Sequence, residues 1–244
     1  MLGRWVPDVQ RWAHTLGVAS LATLLGVAVT AGFVFAGEDG PTRPEGRTGT
    51  PAGWVRVSGP PDAHGRVTSY AVPGGASWKV GRVEGEVSYR DAGGTPYASG
   101  QAPAHYLGNR CSVDGRPHPG AWALLGVAGR GEDLAGYAVR SARAWARGYG
   151  GDAAATAISG STSLALEDGT TAVRVDVRLD LSGFRRPCLG TRADLTVVAF
   201  RTGTLARSLV VARYTGVTGG LPTDVFERIL GSVRVTAQSL RRRT

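Results

Sequence analysis

The spacing of apolar residues changes several times along the chain, and each change marks an element. The clearest run lies at 172–181, where Val173, Val175, Val177, Leu179 and Leu181 alternate with Arg174, Asp176, Arg178 and Asp180. A period of two, with one dry and one wet face, predicts a half-buried strand. Two further strands, 193–201 and 205–214, flank Thr202-Gly203-Thr204, a short hairpin signal. Residues 67–73 and 77–80 read as short strands around a Pro-Gly-Gly turn, 83–90 as another, and alanine-rich 122–128 as a buried one. The glycine- and alanine-rich stretch that follows 83–90 reads as a loop. At 132–149 the period becomes helical, with Leu134, Ala138, Ser141/Ala142 and Trp145 on one face. Glu132 and Asp133 open that helix, and Arg140, Arg143 and Arg147 lie toward its C-terminus, as the helix dipole favours. After Leu221-Pro222-Thr223, the residues Phe226, Ile229, Leu230 and Val233 form the apolar stripe of a last helix. Hairpin strands and helices at separate places predict an α+β fold, an antiparallel β-sheet packed with helices.

The N-terminal region obeys a different rule. Residues 15–37 carry no charge, and a helix needs about 20 apolar residues to cross the hydrocarbon core. Arg4 and Arg11 precede this run, and Glu38 and Asp39 follow it. Arg43 and Arg47 on the far side narrow the basic asymmetry, which still favours a cytoplasmic N-terminus. A cleavable signal peptide ending near Val34-Phe35-Ala36 is a second reading, although its apolar region spans only about 7–15 residues. A buried core helix is a third, although the run has no polar face. The expected organisation is a short cytoplasmic N-terminus (1–14), a transmembrane signal anchor (15–37), a Pro/Gly-rich linker (38–66), an extracytoplasmic α+β domain (67–236) and a basic tail (237–244). Within the linker, Trp54-Val55-Arg56-Val57 is an alternating island, an edge strand or a sticky contact.

Composition narrows the function classes. The chain has 244 residues, 42% of them hydrophobic, so it has the apolar surface for a core. Its net charge of +9 comes almost wholly from arginine, and Lys79 is the sole lysine. The arginines are spread along the chain rather than clustered as a nucleic-acid footprint would be, so no nucleic-acid partner is expected. Any Schiff-base or phosphate-loop chemistry would fall on Lys79 alone.

Cys111 and Cys188 are the two cysteines. Outside the cytoplasm an isolated pair forms a disulfide, and closing a loop of about 78 residues stabilises by roughly 4–5 kcal/mol in the chain-entropy picture. Two unrelated buried thiols, or a zinc site with His118 and His105, are the other readings; the Cys-x6-His spacing matches no standard finger. A bridge would bring Asn109-Arg110-Cys111 beside Arg185-Arg186-Pro187-Cys188, with Arg116, His118 and Arg192 near and Asp114 the one carboxylate in those flanks. Guanidinium groups gathered on a pinned loop hold phosphate or carboxylate bidentately. Arg110, Arg116, Arg185 and Arg186 are therefore the candidate contacts for an anionic lipid, a wall polymer or an acidic envelope protein. The competing reading is a solvated basic rim in an arginine-rich chain.

Catalytic patterns are thin. Gly74-Gly75-Ala76-Ser77-Trp78 departs from the nucleophile elbow, and neither a zinc-protease nor a phosphate-loop motif occurs. Of the four histidines, His105 and His118 lie in the domain, both in stretches read as loops. Glu132 and Asp133 read as helix-opening residues, and Asp176 and Asp180 as surface charge paired with arginine. No metal or cofactor is expected.

The order of motifs is itself informative. Tyr70, Val72, Pro73 and Trp78 open the domain, followed by a cysteine and then by Ala-Arg-Ala-Trp-Ala at 142–146. Next come Val-Arg-Val-Asp-Val, a second cysteine after proline, a valine-rich hairpin, and Phe-x-x-Ile-Leu-x-Ser-Val at 226–233. This arrangement resembles single-pass actinobacterial membrane proteins whose extracytoplasmic domain has no assigned function. It is more distantly similar to PsbP/LpqN-like domains. The resemblance covers 67–236 and implies a membrane location and an antiparallel sheet sandwiched by helices. Its motifs are structural and carry no active-site residue. The expected function is that of a non-catalytic ligand- or partner-binding module of the cell envelope. The alternative is an extracytoplasmic hydrolase using Ser77 or a histidine.

Overall fold

The computed structural model describes residues 50–108, 111–113, 115–130, 133–150, 155–183 and 188–237. In chain order its strands begin with β1 (Trp54–Ser58), β2 (Arg66–Pro73), β3 (Trp78–Val80), β4 (Glu86–Arg90) and β5 (Pro96–Tyr106). A small hairpin, β6 (Ser112–Val113) and β7 (Arg116–Pro117), precedes β8 (Ala121–Arg130) and helix α1 (Leu134–Gly150). Then follow β9 (Ala155–Ile158), β10 (Thr162–Ala165), β11 (Thr171–Asp180), β12 (Arg192–Thr202) and β13 (Leu205–Thr215). Helix α2 (Thr223–Gly231) and β14 (Arg234–Ala237) close the fold. The structure is mainly antiparallel sheet with two helices, an α+β domain. The expected span at 15–37 lies outside the described residues, among which no helix is long and apolar enough to cross a membrane.

The hairpin β12–β13 is the centre. Thr202 pairs with Leu205, leaving Gly203 and Thr204 as the turn, and Gly203 takes the left-handed φ of +65° that such turns require. β11 and β8 flank this hairpin; β5 follows β8 and carries β3 and β4 on its outer side, while β9 and β10 pair with β11. Side chains alternate between two cores. Leu195, Val197, Val210, Ala212, Val175, Val177 and Leu124 face α1. Val198, Phe200, Leu209, Val211 and Leu125 face a second layer, made of the small sheet β1-β2-β14 together with α2.

Each cover is built for its face. α1 presents Tyr137, Ala138, Ala142, Trp145 and Ala146, a stripe at helical spacing whose alanines let the backbone approach the sheet. Asp133, expected at the helix opening, accepts the Gly136 N–H at 2.8 Å and so caps the first turn. α2 buries Phe226, Ile229 and Leu230, with the Arg213 guanidinium 4.5 Å above the Phe226 ring.

Two stretches depart from expectation. The segment read as a loop after residue 90 contains β5, an 11-residue strand. Its buried positions are Ala98, Gly100, Ala102, Pro103 and Ala104, with no large aliphatic among them; at Gly100 a Cβ would run into the Leu124 side chain. The β5–β8 register shifts between Gln101 and Ala104, and Ala102 sits at φ 50° beside Pro103, which has no N–H to offer the ladder. The island at Trp54–Ser58, placed in the linker by composition, is β1 and pairs along its length with β2. The folded region therefore begins before residue 67.

The bulge explains one buried tyrosine. Tyr70 on β2 is fully buried, and its hydroxyl donates to the Ala102 carbonyl at 2.7 Å, with the Ala123 carbonyl at 3.0 Å. It thus ties the small sheet to the irregular point of the large one, and burial pushes its pKa well above the ordinary tyrosine value. Tyr70→Phe should destabilise the domain by about 1–3 kcal/mol with the fold retained, because a buried carbonyl loses its donor. Denaturant midpoints at unchanged m-value would check this; an unaltered midpoint would contradict it.

Candidate functional site

The two cysteines occupy connections at the same end of the large sheet. Cys111 lies in the β5–β8 connection, where its carbonyl accepts the His118 N–H at 2.8 Å across the β6–β7 hairpin. Gly120 N–H reaches Tyr106 O and Tyr214 N–H reaches Gly120 O, which fastens this connection to the sheet. Cys188 lies in the β11–β12 connection, closed at its base by Leu181 N–H to Thr191 O at 2.7 Å. The Cys111–Cys188 disulfide joins them, with Cα atoms 5.4 Å apart and a sequence separation of 77. Both sulfurs are committed, so the free-thiol and zinc readings fall away.

Of the candidate contacts, Arg110, Arg185 and Arg186 lie outside the described residues; for Arg116 the backbone, in β7, is described. The bridge does bring their chain neighbours together, with Cys188 Sγ 3.6 Å from Ser112 O. Arg192 opens β12 directly opposite Asp180. The Asp180 carboxylate is held below the usual range first by the Ser182 N–H and hydroxyl, with Arg192 adding to this.

Among the described residues no hydrogen bond joins the Ser77 hydroxyl to a histidine. His105 is on strand β5, not in a loop, opposite Lys79 on one side and Trp122 on the other. The strand was missed because its small residues and Pro103 hide the alternation. Burial pushes the His105 pKa below its ordinary value. His118 follows β7 in a connection, as read. Ser77 is exposed, and its hydroxyl makes no hydrogen bond among the described residues.

The carboxylates serve as acceptors. Asp176 and Glu227 flank Arg174, which bonds Asp176 at 2.9 Å and grips Glu227 with two N–H groups at 2.6 and 3.0 Å. The Thr196 hydroxyl also donates to Asp176 at 2.5 Å. Asp176 thus has the arginine pairing expected of it, and Glu227 is a partner that only the fold reveals. Asp62 is held low first by the Arg66 N–H. Asp168 is raised by burial, but hydrogen bonds from Thr170 and Val235 outweigh this and leave it low.

Sequence reasoning also missed two arginines on the small sheet. Arg56 and Arg234 occupy strands either side of β2, and α2 ends beside them at Ser232. The one signal available was that Arg56 stands in an alternating run inside a polar, proline-rich stretch.

Fold and bridge together define a disulfide-stapled, two-core antiparallel domain. The chain belongs to the family described as a domain of unknown function, DUF8017, which matches residues 47–238. No curated protein matches the chain.

Two expectations follow. Replacing Cys111 and Cys188 by serine should lower stability by up to about 4–5 kcal/mol, with strain reducing that figure. Thermal unfolding with and without reductant measures it, and identical curves would refute the bridge's role. For His105 the folded pKa lies below the unfolded one, so its contribution is full above about pH 6.5 and is lost as pH falls toward the folded value. His105→Gln should flatten the stability profile just below pH 6.5, and a slope equal to wild type would reject this assignment.

Proposed function

We propose that the chain is a membrane-anchored extracytoplasmic domain, a non-catalytic module that binds an anionic ligand or partner at the cell envelope. The Cys111–Cys188 bridge carries this reading, since such a bond persists in oxidising compartments. The uncharged segment 15–37 behind an arginine-bearing leader supports a signal anchor with the N-terminus cytoplasmic. The order of motifs supports an actinobacterial source and a distant kinship with PsbP/LpqN-like domains. At the bridged end, Arg110, Arg116, Arg185 and Arg186 are the proposed contacts, with anionic lipid, wall polymer or an acidic envelope protein as ligand. The hydrolase alternative gains no support from the placement of Ser77 and His105.

The test uses the full chain reconstituted in vesicles and a variant with all four arginines changed to alanine. Each arginine near an anionic surface contributes on the order of 1 kcal/mol. Binding to phosphatidylglycerol vesicles or purified anionic wall polymer should therefore weaken by at least tenfold in the variant. Equal binding by both proteins would remove the contact role. Fractionation with alkylation of free thiols checks the location: the protein should sediment with membranes and stay unalkylated until reduced.

A further inference from the structure

Most partly buried arginines with a defined partner are neutralised in this structure. Arg66 pairs with Asp62, Arg174 with Asp176 and Glu227, Arg213 with Asp194, and Arg234 with Glu167, all at 3.0 Å or less. Arg56 differs. Its Nε donates to the Thr50 hydroxyl at 3.0 Å, and its Nη1 donates to the Ser69 hydroxyl at 3.3 Å and the Ser232 carbonyl at 3.2 Å. All three acceptors are neutral, and among the described residues no carboxylate pairs with Arg56. Its Nη2 is shielded from solvent and has no partner. Leaving such a group unsatisfied costs more than a hydrogen bond gains, and more still for a charged group.

Donors around Arg56 are left over once these acceptors are used. Arg234 stands opposite Ser69 in the β14–β2 register and spends Nε and Nη2 on one oxygen of Glu167, at 3.0 and 2.7 Å. Among the described residues no hydrogen bond uses its Nη1. Glu167 neutralises Arg234, and the neighbouring Asp168 accepts the Val235 N–H of β14, so Arg56 is left without an ion-pair partner among the described residues. Burial first, and Arg234 second, hold the Arg56 pKa below its ordinary value, with Glu167 opposing. The Thr50 and Ser69 hydroxyls, each accepting from Arg56, retain their own protons to donate. Structural work explains the Nε and Nη1 bonds, since the Ser232 carbonyl ends α2 and an arginine there complements the helix dipole. It leaves Nη2 unexplained.

We propose that Arg56 and Arg234, with the Ser69 hydroxyl, form a binding site for one phosphate group on the outer face of the β1-β2-β14 sheet. A tetrahedral oxyanion supplies the missing acceptor to Arg56 Nη2, takes Arg234 Nη1 on another oxygen, and gives Arg56 the ion-pair partner it lacks. The group can belong to free phosphate or to a phospholipid headgroup. This inference does not rest on the arginines at the bridged end.

The experiment titrates inorganic phosphate into the full chain in zwitterionic detergent at constant ionic strength, read by calorimetry and by the arginine Nε–H resonances. Saturable binding is expected, with the Arg56 Nε–H signal shifting and the affinity falling about tenfold or more in Arg56→Gln and Arg234→Gln. Arg56→Lys keeps the charge without the fork and should also weaken binding; it covers the case in which Arg56→Gln fails to fold. The four-arginine variant of the bridged end should bind phosphate as wild type does, which separates this site from that one. In a second arm, vesicles of phosphatidylglycerol compete with phosphate if a headgroup is the ligand, and do not if free phosphate is. No saturable binding, no shift at Arg56, or equal affinity in the Arg56 and Arg234 variants would each overturn the proposal.

Discussion

The constraint on which the structure depends is that the hairpin β12–β13 is buried on both faces. From Leu195 to Phe200 and from Ser208 to Ala212 each residue is buried, so neither face can meet water and each needs its own cover. One cover is a single helix made thin by alanine; the other is a second sheet plus a short helix. Two covers of unequal thickness require anchoring at different places. Asp133 and Tyr137 fix the start of α1, with the Tyr137 hydroxyl on the Val127 carbonyl at 2.8 Å. Tyr70 fixes the small sheet to the bulge at Ala102. Apolar burial sets the layers, and these few polar bonds set their register, because a buried donor accepts few geometries.

How far this could be read from sequence follows from the same division. β11, the hairpin and both helices announce themselves because their periodicity is written in large apolar side chains such as Val175, Leu195 and Ile229. β5 does not, because its buried face is alanine and glycine; a close approach to Leu124 selects small residues, and small residues resemble a loop. β1 shows its alternation and was legible as an edge strand, although the prolines and glycines around it placed it in the linker; β14 is four residues long after a helix and offers no window wide enough to show a period. The family match from residue 47 agrees with the earlier start that β1 gives the fold. At the candidate site the bridge was legible from compartment logic, whereas the partners of Arg174 and Arg234 lie 53 and 67 positions away and only the fold brings them together.

A core that excludes charge also dictates where chemistry can occur. With both faces of the central hairpin dry, its charged residues Arg192, Asp194, Arg201, Arg207 and Arg213 stand within the first or last three positions of their strands. Arg174 and Asp176 pair in the middle of β11, and Asp62, Asp168 and Asp180 lie in connections or at a strand end. There the carboxylates with a resolved shift, Asp62, Asp168 and Asp180, are all pushed toward ionisation, by backbone N–H groups and neighbouring side chains. General acid catalysis needs the opposite arrangement, a carboxyl kept protonated by burial without donors. Burial on a strand favours the neutral form of His105, which stands opposite Lys79 and Trp122 in the ladders. The electrostatic design makes carboxylates permanent acceptors for arginine, which is how a protein builds rigid charged surfaces. In that setting Arg56, which has no carboxylate partner among the described residues, is the exception, and the proposed phosphate site would complete its pairing.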